Sequence, residues 1–456
     1  MHGFSFSRRI GLLLVFILVG SFADAGELVS GPMLGYRARR ETAIWLETKN
    51  AQSVSLTYHL AGKPDTARTL THSPATTPAG TQPQTFVLPL LEMGAAYEYS
   101  LSVDGSPVTR DWPFVFRTAA LWEWRTSPPD FKFLFGTCAY LNDAPYDRPG
   151  TPYGKGTTIF KHMAESGADF MLWGGDNWYY READFDSASG LWYRAGHDRA
   201  TPDLQKLYGV MHHYATWDDH DYGSNDANKS YDLKATTLEI FKAYWPNQTF
   251  GEPSNPGVHQ KFVWGDAMFI LMDNRYHRDD TLLEEKLRPN KSQYGSKQLE
   301  WLKQSLLQAK SLEHYTFKFI VTGGQVITSF GGSSETFDYF RNEREEILRF
   351  IKDHQITGVI FLSGDVHFSE LAREKIGETQ YIYELTSSPL SSGVSTRLVK
   401  ERAADPQRVP GTFLGDQNYC AVAIHGPKDD RVVTISCFDK TNTKRWEHTV
   451  RAAELK

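Results

Sequence analysis

Asp169-Phe-Met-Leu-Trp173 is a short apolar run, and Gly174-Gly-Asp-Asn-Trp-Tyr179 follows it directly. The run reads as a buried strand, and the stretch after it reads as a tight turn that presents oxygen donors. The same order recurs three times. Phe131-Lys-Phe-Leu-Phe135 leads into Gly136-Thr137-Cys138, His213-Tyr-Ala-Thr-Trp217 into Asp218-Asp-His-Asp221, and Gly358-Val-Ile-Phe-Leu-Ser363 into Gly364-Asp-Val-His367. In open α/β sheets, sites form beyond the carboxyl ends of strands, so side chains far apart in sequence can meet there. Asp176, Asp219, Asp365, His220, His367 and Cys138 would bring oxygen, nitrogen and sulfur donors to one rim. Carboxylates gathered in this way repel one another unless cations neutralise them. Two cations about 3.5–4 Å apart, bridged by one carboxylate, could clamp a phosphoryl group and activate water.

Outward from these strands, residues 131–456 alternate short apolar runs with helical periods at 157–166, 295–309 and 342–354. Residues 317–321 read as a further buried strand, and Lys261 to Met272 as a hairpin turning at Gly265-Asp266. This is a mixed α/β domain. Residues 26–118 differ: 42–47, 53–58 and 96–101 alternate with period two between Pro-, Thr- and Gly-rich turns, the pattern of a small all-β sandwich. Leu91 followed by Tyr97-Glu-Tyr99 resembles the tyrosine-bearing strand of fibronectin or immunoglobulin-like sandwiches. Trp-rich residues 119–130 read as a linker.

Arg8 and Arg9, the apolar run 10–19 and then Ala23-Asp-Ala25 have the order of a secretory signal peptide. Residues 1–25 are therefore expected to be removed on export by the Sec or the Tat route, leaving a secreted or periplasmic protein. The apolar run is too short for a stable membrane span, which takes about 20 residues. The 456 residues are 40% hydrophobic and 23% charged, which excludes a disordered or fibrous chain. The net charge of -6 lacks the basic excess of a nucleic-acid scaffold. Three cysteines exclude a disulfide-dense fold and a four-cysteine zinc module. Cys420 and Cys437 lie on two strands joined by the 426–430 turn and could pair or stay as thiols, which leaves Cys138 over.

Cys138, Gly175-Asp176-x-x-Tyr179, Trp217-Asp-Asp-His-Asp221 and Gly364-Asp-x-His367 together resemble PhoD-like alkaline phosphatases, a branch of the calcineurin-like metallophosphoesterases. Asp203-Leu-Gln205, Asp273-Asn-Arg275 and Gln298-Leu-Glu-Trp-Leu302 also match. The resemblance implies a metallophosphoesterase-type β-sandwich flanked by helices, preceded by an all-β domain. It implies that Cys138, Asp176, Tyr179 and His367 hold ferric iron, that Asp176 bridges, and that Asp219 and Asp365 lie on calcium. Thiolate and phenolate suit trivalent iron, and carboxylate oxygens suit calcium. His220 would stabilise a phosphoryl oxygen or protonate the leaving group. Three positions depart from the wider pattern. Gln325 stands where most of the superfamily has histidine, Asp221 where the family often has glutamate, and Asn177-Trp178 flank the bridge.

The activity implied is hydrolysis of a phosphate monoester or diester by metal-bound hydroxide. A phosphodiesterase or phospholipase D-like enzyme on the same site is the alternative. An envelope-glycan-binding protein with a vestigial site is a third reading, against which the complete ligand set argues. Arg194, His197 and Arg275 read as surface or ion-pairing residues. His212, placed just before its strand, and His213 receive no role. Ser387 and Ser388 lack the surroundings of a nucleophile elbow.

Overall fold

A computed structural model describes residues 25–328 and 335–456. The expected leader, apart from Ala25, lies outside the described residues. Two mixed sheets stack face to face. The larger has nine strands in the order Lys444–Arg451, Val432–Asp439, Asn418–His425, Phe131–Gly136, Phe170–Trp173, His212–Ala215, Glu27–Arg37, Glu41–Lys49 and Thr81–Pro89. The smaller has six: Gln260–Trp264, Ala267–Leu271, Phe317–Val321, Val359–Ser363, Tyr381–Thr386 and Glu370–Lys375. The hairpin turns at Gly265-Asp266, as its sequence predicts.

Phenylalanine carries the contact between the sheets. The Phe133 ring stacks on Phe170 at 5.1 Å and meets Phe269 edge-on at 5.2 Å and Phe319 at 5.4 Å. All four are fully buried. Burying such a side chain is worth roughly 1.5–3 kcal/mol, and edge-to-face geometry adds to that. This interface fixes the relative height of the two sheets. That height matters because the parallel strands of each sheet end together. Trp173 is level with Gly136 and Ala215 in one sheet, and Leu362 with Val321 and Leu385 in the other. Two hydrogen bonds tie the rim across the sheets: Thr216 Oγ1 donates to the Met272 carbonyl at 2.6 Å, and Thr137 Oγ1 to the Ser387 carbonyl at 3.1 Å.

Residues 27–117 are all β. A core containing Ile44, Leu56, Phe86, Tyr99 and Phe116 lies between the strands 27–89 of the large sheet and a separate five-stranded sheet built around Val54–Leu60 and Ala96–Val103. The Tyr97 hydroxyl accepts the Glu92 backbone N–H at 2.8 Å, closing a corner between strands. One layer of this sandwich is thus part of the nine-stranded sheet: Glu27–Arg37 runs parallel to His212–Ala215. Trp45 Nε1 donates to the Ala243 carbonyl at 2.8 Å, and Gly31 N–H to Gln205 Oε1 at 2.7 Å.

Other differences from the sequence expectations are local. His212 lies within its strand, not before it. Its Nδ1 bonds the Gly35 carbonyl, His213 Nε2 bonds the Leu207 carbonyl, and burial pushes both rings down to about 3, so both are neutral core histidines. Arg194 and Arg275 are buried, not on the surface, and each is ion-paired. Cys420 and Cys437 sit directly opposite each other as thiols. Among the described residues no helix is long and apolar enough to cross a membrane.

Because the N-terminal strands share a sheet with the strands that carry the rim, we expect one cooperative thermal unfolding transition. Calorimetry resolving two independent transitions would contradict this.

Candidate metal centre

The four strand ends converge at the rim. Asp176 Oδ2 lies 3.5 Å from Cys138 Sγ and 3.1 Å from the Tyr179 hydroxyl, and Asp176 Oδ1 accepts the His220 backbone N–H at 3.2 Å. One carboxylate therefore touches three of the four segments. One donor atom from each of Asp176, Asp219 and His220 lies within 4.8 Å of the others, and Asp219, Asp226 and Glu335 form a second such group. His367 enters from the far side. Its Nδ1 is 3.1 Å from the Tyr153 hydroxyl and its Nε2 3.3 Å from Ser392 Oγ. Asp365 lines the adjoining cavity with Asp226 and Glu335.

The turns that hold these residues are strained in a consistent way. Cys138, Asp176, Asp365 and His367 have φ of 63°, 53°, 66° and 58°. Left-handed backbone costs a non-glycine residue on the order of 1–3 kcal/mol and persists only where the surroundings enforce it. The glycines beside them make room. Gly175 has φ 125°, and a Cβ there would lie 2.8 Å from Asp218 Cβ; a Cβ on Gly323 would lie 2.3 Å from the Asp218 carboxyl. Cys138 Sγ is held by Ser388 Oγ at 3.1 Å and Thr137 Oγ1 at 3.3 Å.

Asp221, expected as an acidic residue of the third motif, acts as a clamp. Its Oδ1 accepts the N–H groups of Asn177 at 2.8 Å and Trp178 at 3.3 Å, and its Oδ2 accepts Asp218 N–H at 3.0 Å. It thereby fastens the Asp176 turn to the Asp219 turn. Gln325 faces away from the cluster: its amide donates to Glu370 at 2.8 Å and Thr386 at 2.9 Å. Near Asp218 the structure instead supplies Asn274, donating at 2.7 Å, and Arg275, which pairs with Asp218, Asp219 and Glu335. Asp273 aims both. Its backbone is gripped by Gln298, and its Oδ1 accepts the N–H of Arg275 and the indole of Trp217. Asp218 and Glu335 are participants that sequence reasoning gave no role, while Arg275, expected at the surface or in an ion pair, is buried and ion-paired at the rim. The signal available was the doubled carboxylate Asp218-Asp219.

The charge of the donor set suits cations. Burial, and then repulsion from Asp219, Asp218, Asp221 and Asp365, pushes the Asp176 carboxyl well above its usual range. Burial and the carboxylates of Asp218, Asp219 and Glu335 do the same to Asp365. Burial also raises Cys138 and Tyr179, each helped by Asp176. At Asp219 burial is outweighed by His220, Arg275 and the Asp226 N–H, which hold that carboxyl ionised. Asp219 Oδ1, Asp218 Oδ2 and His220 Nδ1 are buried yet make no hydrogen bond among the described residues. Arg275 and Arg278 cannot balance this many acids, whereas bound cations would ionise the carboxyls, the thiol and the phenol together.

Two stacked mixed sheets with a buried acidic rim, where histidine and cysteine join the carboxylates, define a metallophosphoesterase-type protein. The PhoD-like phosphatase family matches residues 146–422, and the chain belongs to that family. Residues 25–119 match a domain of unknown function. Alkaline phosphatase D of Bacillus subtilis (strain 168) is 26% identical over 317 residues, which are 58% of this chain and 51% of that protein, so the chain spans about half the length of this relative. A structure of PhoD superposes with a TM-score of 0.74 at 17% identity, covering 92% of both chains. A purple acid phosphatase from yellow lupin (Lupinus luteus) seeds gives a TM-score of 0.64 at 10% identity over 95% of this chain and 76% of that one. These two superpositions bear on the fold alone.

The clamp yields a direct test. Asp221→Ala leaves three buried N–H donors unsatisfied and should cost about 3 kcal/mol or more in denaturant unfolding. Asp221→Asn, which keeps an acceptor, should cost distinctly less. Equal stability of Asp221→Ala and the parent would refute the clamp.

Proposed function

We propose that this chain is a metal-dependent phosphoric-ester hydrolase acting on a phosphate monoester or diester. The observation that carries the reading is the buried convergence of Cys138, Tyr179 and His220 on the single carboxylate Asp176. Cys138, Asp176, Tyr179 and His367 would hold ferric iron, and Asp219 and Asp365, with Asp176 shared, would hold calcium. The mixed sulfur, nitrogen and phenolate donors on one side and carboxylate oxygens on the other support that division. Bound there, the cations would neutralise the substrate's phosphoryl charge and lower the pKa of the attacking water.

The protein's own groups do the rest. Asp176 lies against Cys138 and Tyr179 through Oδ2 and accepts the His220 N–H through Oδ1, so its two oxygens face different parts of the donor set. Ser388 donates to the Cys138 sulfur and favours its thiolate. Arg275 offsets part of the charge of Asp218 and Asp219. His220, beside Asp219, assists the leaving oxygen. In the reaction the water oxygen bonds to phosphorus, the bond from phosphorus to the ester oxygen breaks, and a proton from water ends on the leaving alcohol.

The signal-like order of residues 1–25 supports export to a secreted or periplasmic location. The buried core and the Tyr97 corner support an immunoglobulin- or fibronectin-like domain at 26–118, joined by 119–130 to a catalytic domain at 131–456.

Asp176→Ala tests the proposal. The variant should remain folded, lose both cations by elemental analysis, and lose at least about 1,000-fold in turnover of monoester and diester alike. Turnover near that of the parent would overturn the bridging role.

A further inference from the structure

Tyr140, Tyr153, Tyr179 and His220 line one cavity of about 330 Å³. The Tyr140 ring lies 5.0 Å from both Tyr153 and Tyr179, and Tyr179 lies 4.1 Å from the His220 ring. Tyr179 joins this cavity to the acidic rim, since its ring faces His220 while its hydroxyl donates to Asp176. Tyr153 is the outer wall: it is 43% exposed, whereas Tyr140 and Tyr179 are buried. The charged residues of the wall cancel. Arg148 pairs with Glu182 at 3.0 Å, and Arg181, which lies over the Tyr140 ring, pairs with Asp147 at 3.2 Å. A neighbouring cavity, which shares Asn225, differs in charge, since Asp226, Asp280, Glu335 and Asp365 line it with Arg397 as the one cation among the described residues. Its acidic balance disfavours an anion.

Resting on the hydrolase reading, we infer that the tyrosine cavity receives the leaving group and selects an uncharged, flat ring attached close to the scissile oxygen. An ester oxygen within reach of His220 projects its substituent into this space. Tyr153, Tyr140 and Tyr179 pack ring against ring into one continuous aromatic wall, and such a wall favours a ring over a short alkyl chain through stacked and edge-on contact. The space is in the range of a small-molecule site. The paired charges leave no net charge in the wall to attract an ionic substituent. Tyr153 is the specificity-determining residue, because its ring forms the wall and its hydroxyl separately holds His367 Nδ1.

Benzyl phosphate and ethyl phosphate test this, because their leaving alcohols are of similar acidity and differ in the ring. The metal-loaded protein should show at least about a tenfold higher kcat/KM for benzyl phosphate. Benzylphosphonate, which is not hydrolysed, should bind more tightly than ethylphosphonate by a similar factor. In Tyr153→Ala both ratios should fall to within about threefold, and in Tyr153→Phe, which keeps the ring, both should persist. Any loss through His367 affects both esters and cancels in the ratio. Equal handling of the two esters, or a preference that survives Tyr153→Ala, overturns the inference. Hydrolysis of neither ester, nor of their methyl diesters, by metal-loaded protein would instead overturn the hydrolase reading.

Discussion

Asp176, Asp218, Asp219 and Asp221 are buried within one rim with Asp365 half-buried beside them, and like charges withdrawn from water repel strongly. The rest of the structure answers to this constraint. Four of the five acids have internal hydrogen-bond partners, Asp176 through Cys138, Tyr179 and the His220 N–H. Asp221 is given to three backbone N–H groups, Asp218 to Asn274 and Arg275, and Asp219 partly to Arg275 and the Asp226 N–H. Asp176 and Asp365 do not reach balance in this way, and their carboxyls are driven toward protonation. A buried acid cluster of this kind has little to offer stability. Its persistence makes sense as a site for cations.

The scaffold brings the acids together by aligning strand ends. Parallel registers level the ends within each sheet, the phenylalanine interface levels one sheet against the other, and left-handed residues turn three of the four segments. The N-terminal strands contribute through the same sheet. By pairing Glu27–Arg37 with His212–Ala215 they brace the strand that leads into Asp218 and Asp219. The shared sheet ties the N-terminal layer mechanically to the rim.

Much of the rim could be read from the chain, because a buried parallel strand is a continuous apolar run and its end is marked by glycine. Cys138, Asp176, Tyr179, Asp219 and His220 each lie within a few residues of such an end, and proximity to a strand end is what a sequence displays. Arg275 and Glu335 were not legible in the same way. Each comes from a loop whose path depends on tertiary contacts, here the Gln298 grip on Asp273 and the pairing of Arg278 with Glu335. Gln325 sits at the expected strand end but points elsewhere, because Glu370 and Thr386 offer its amide better partners. The shared N-terminal layer was hidden for a related reason: period-two patterning identifies a strand and not its neighbour. His212 shows the limit at one residue, since a histidine on a buried strand is indistinguishable from one in the preceding turn until its carbonyl partner is known.

Elemental analysis of the chain, purified without chelator or added metal, tests the central claim most directly. The account predicts close to one iron per chain together with calcium in stoichiometric amount. A folded, monodisperse protein that carries neither cation and still hydrolyses phosphate esters at full rate would contradict it.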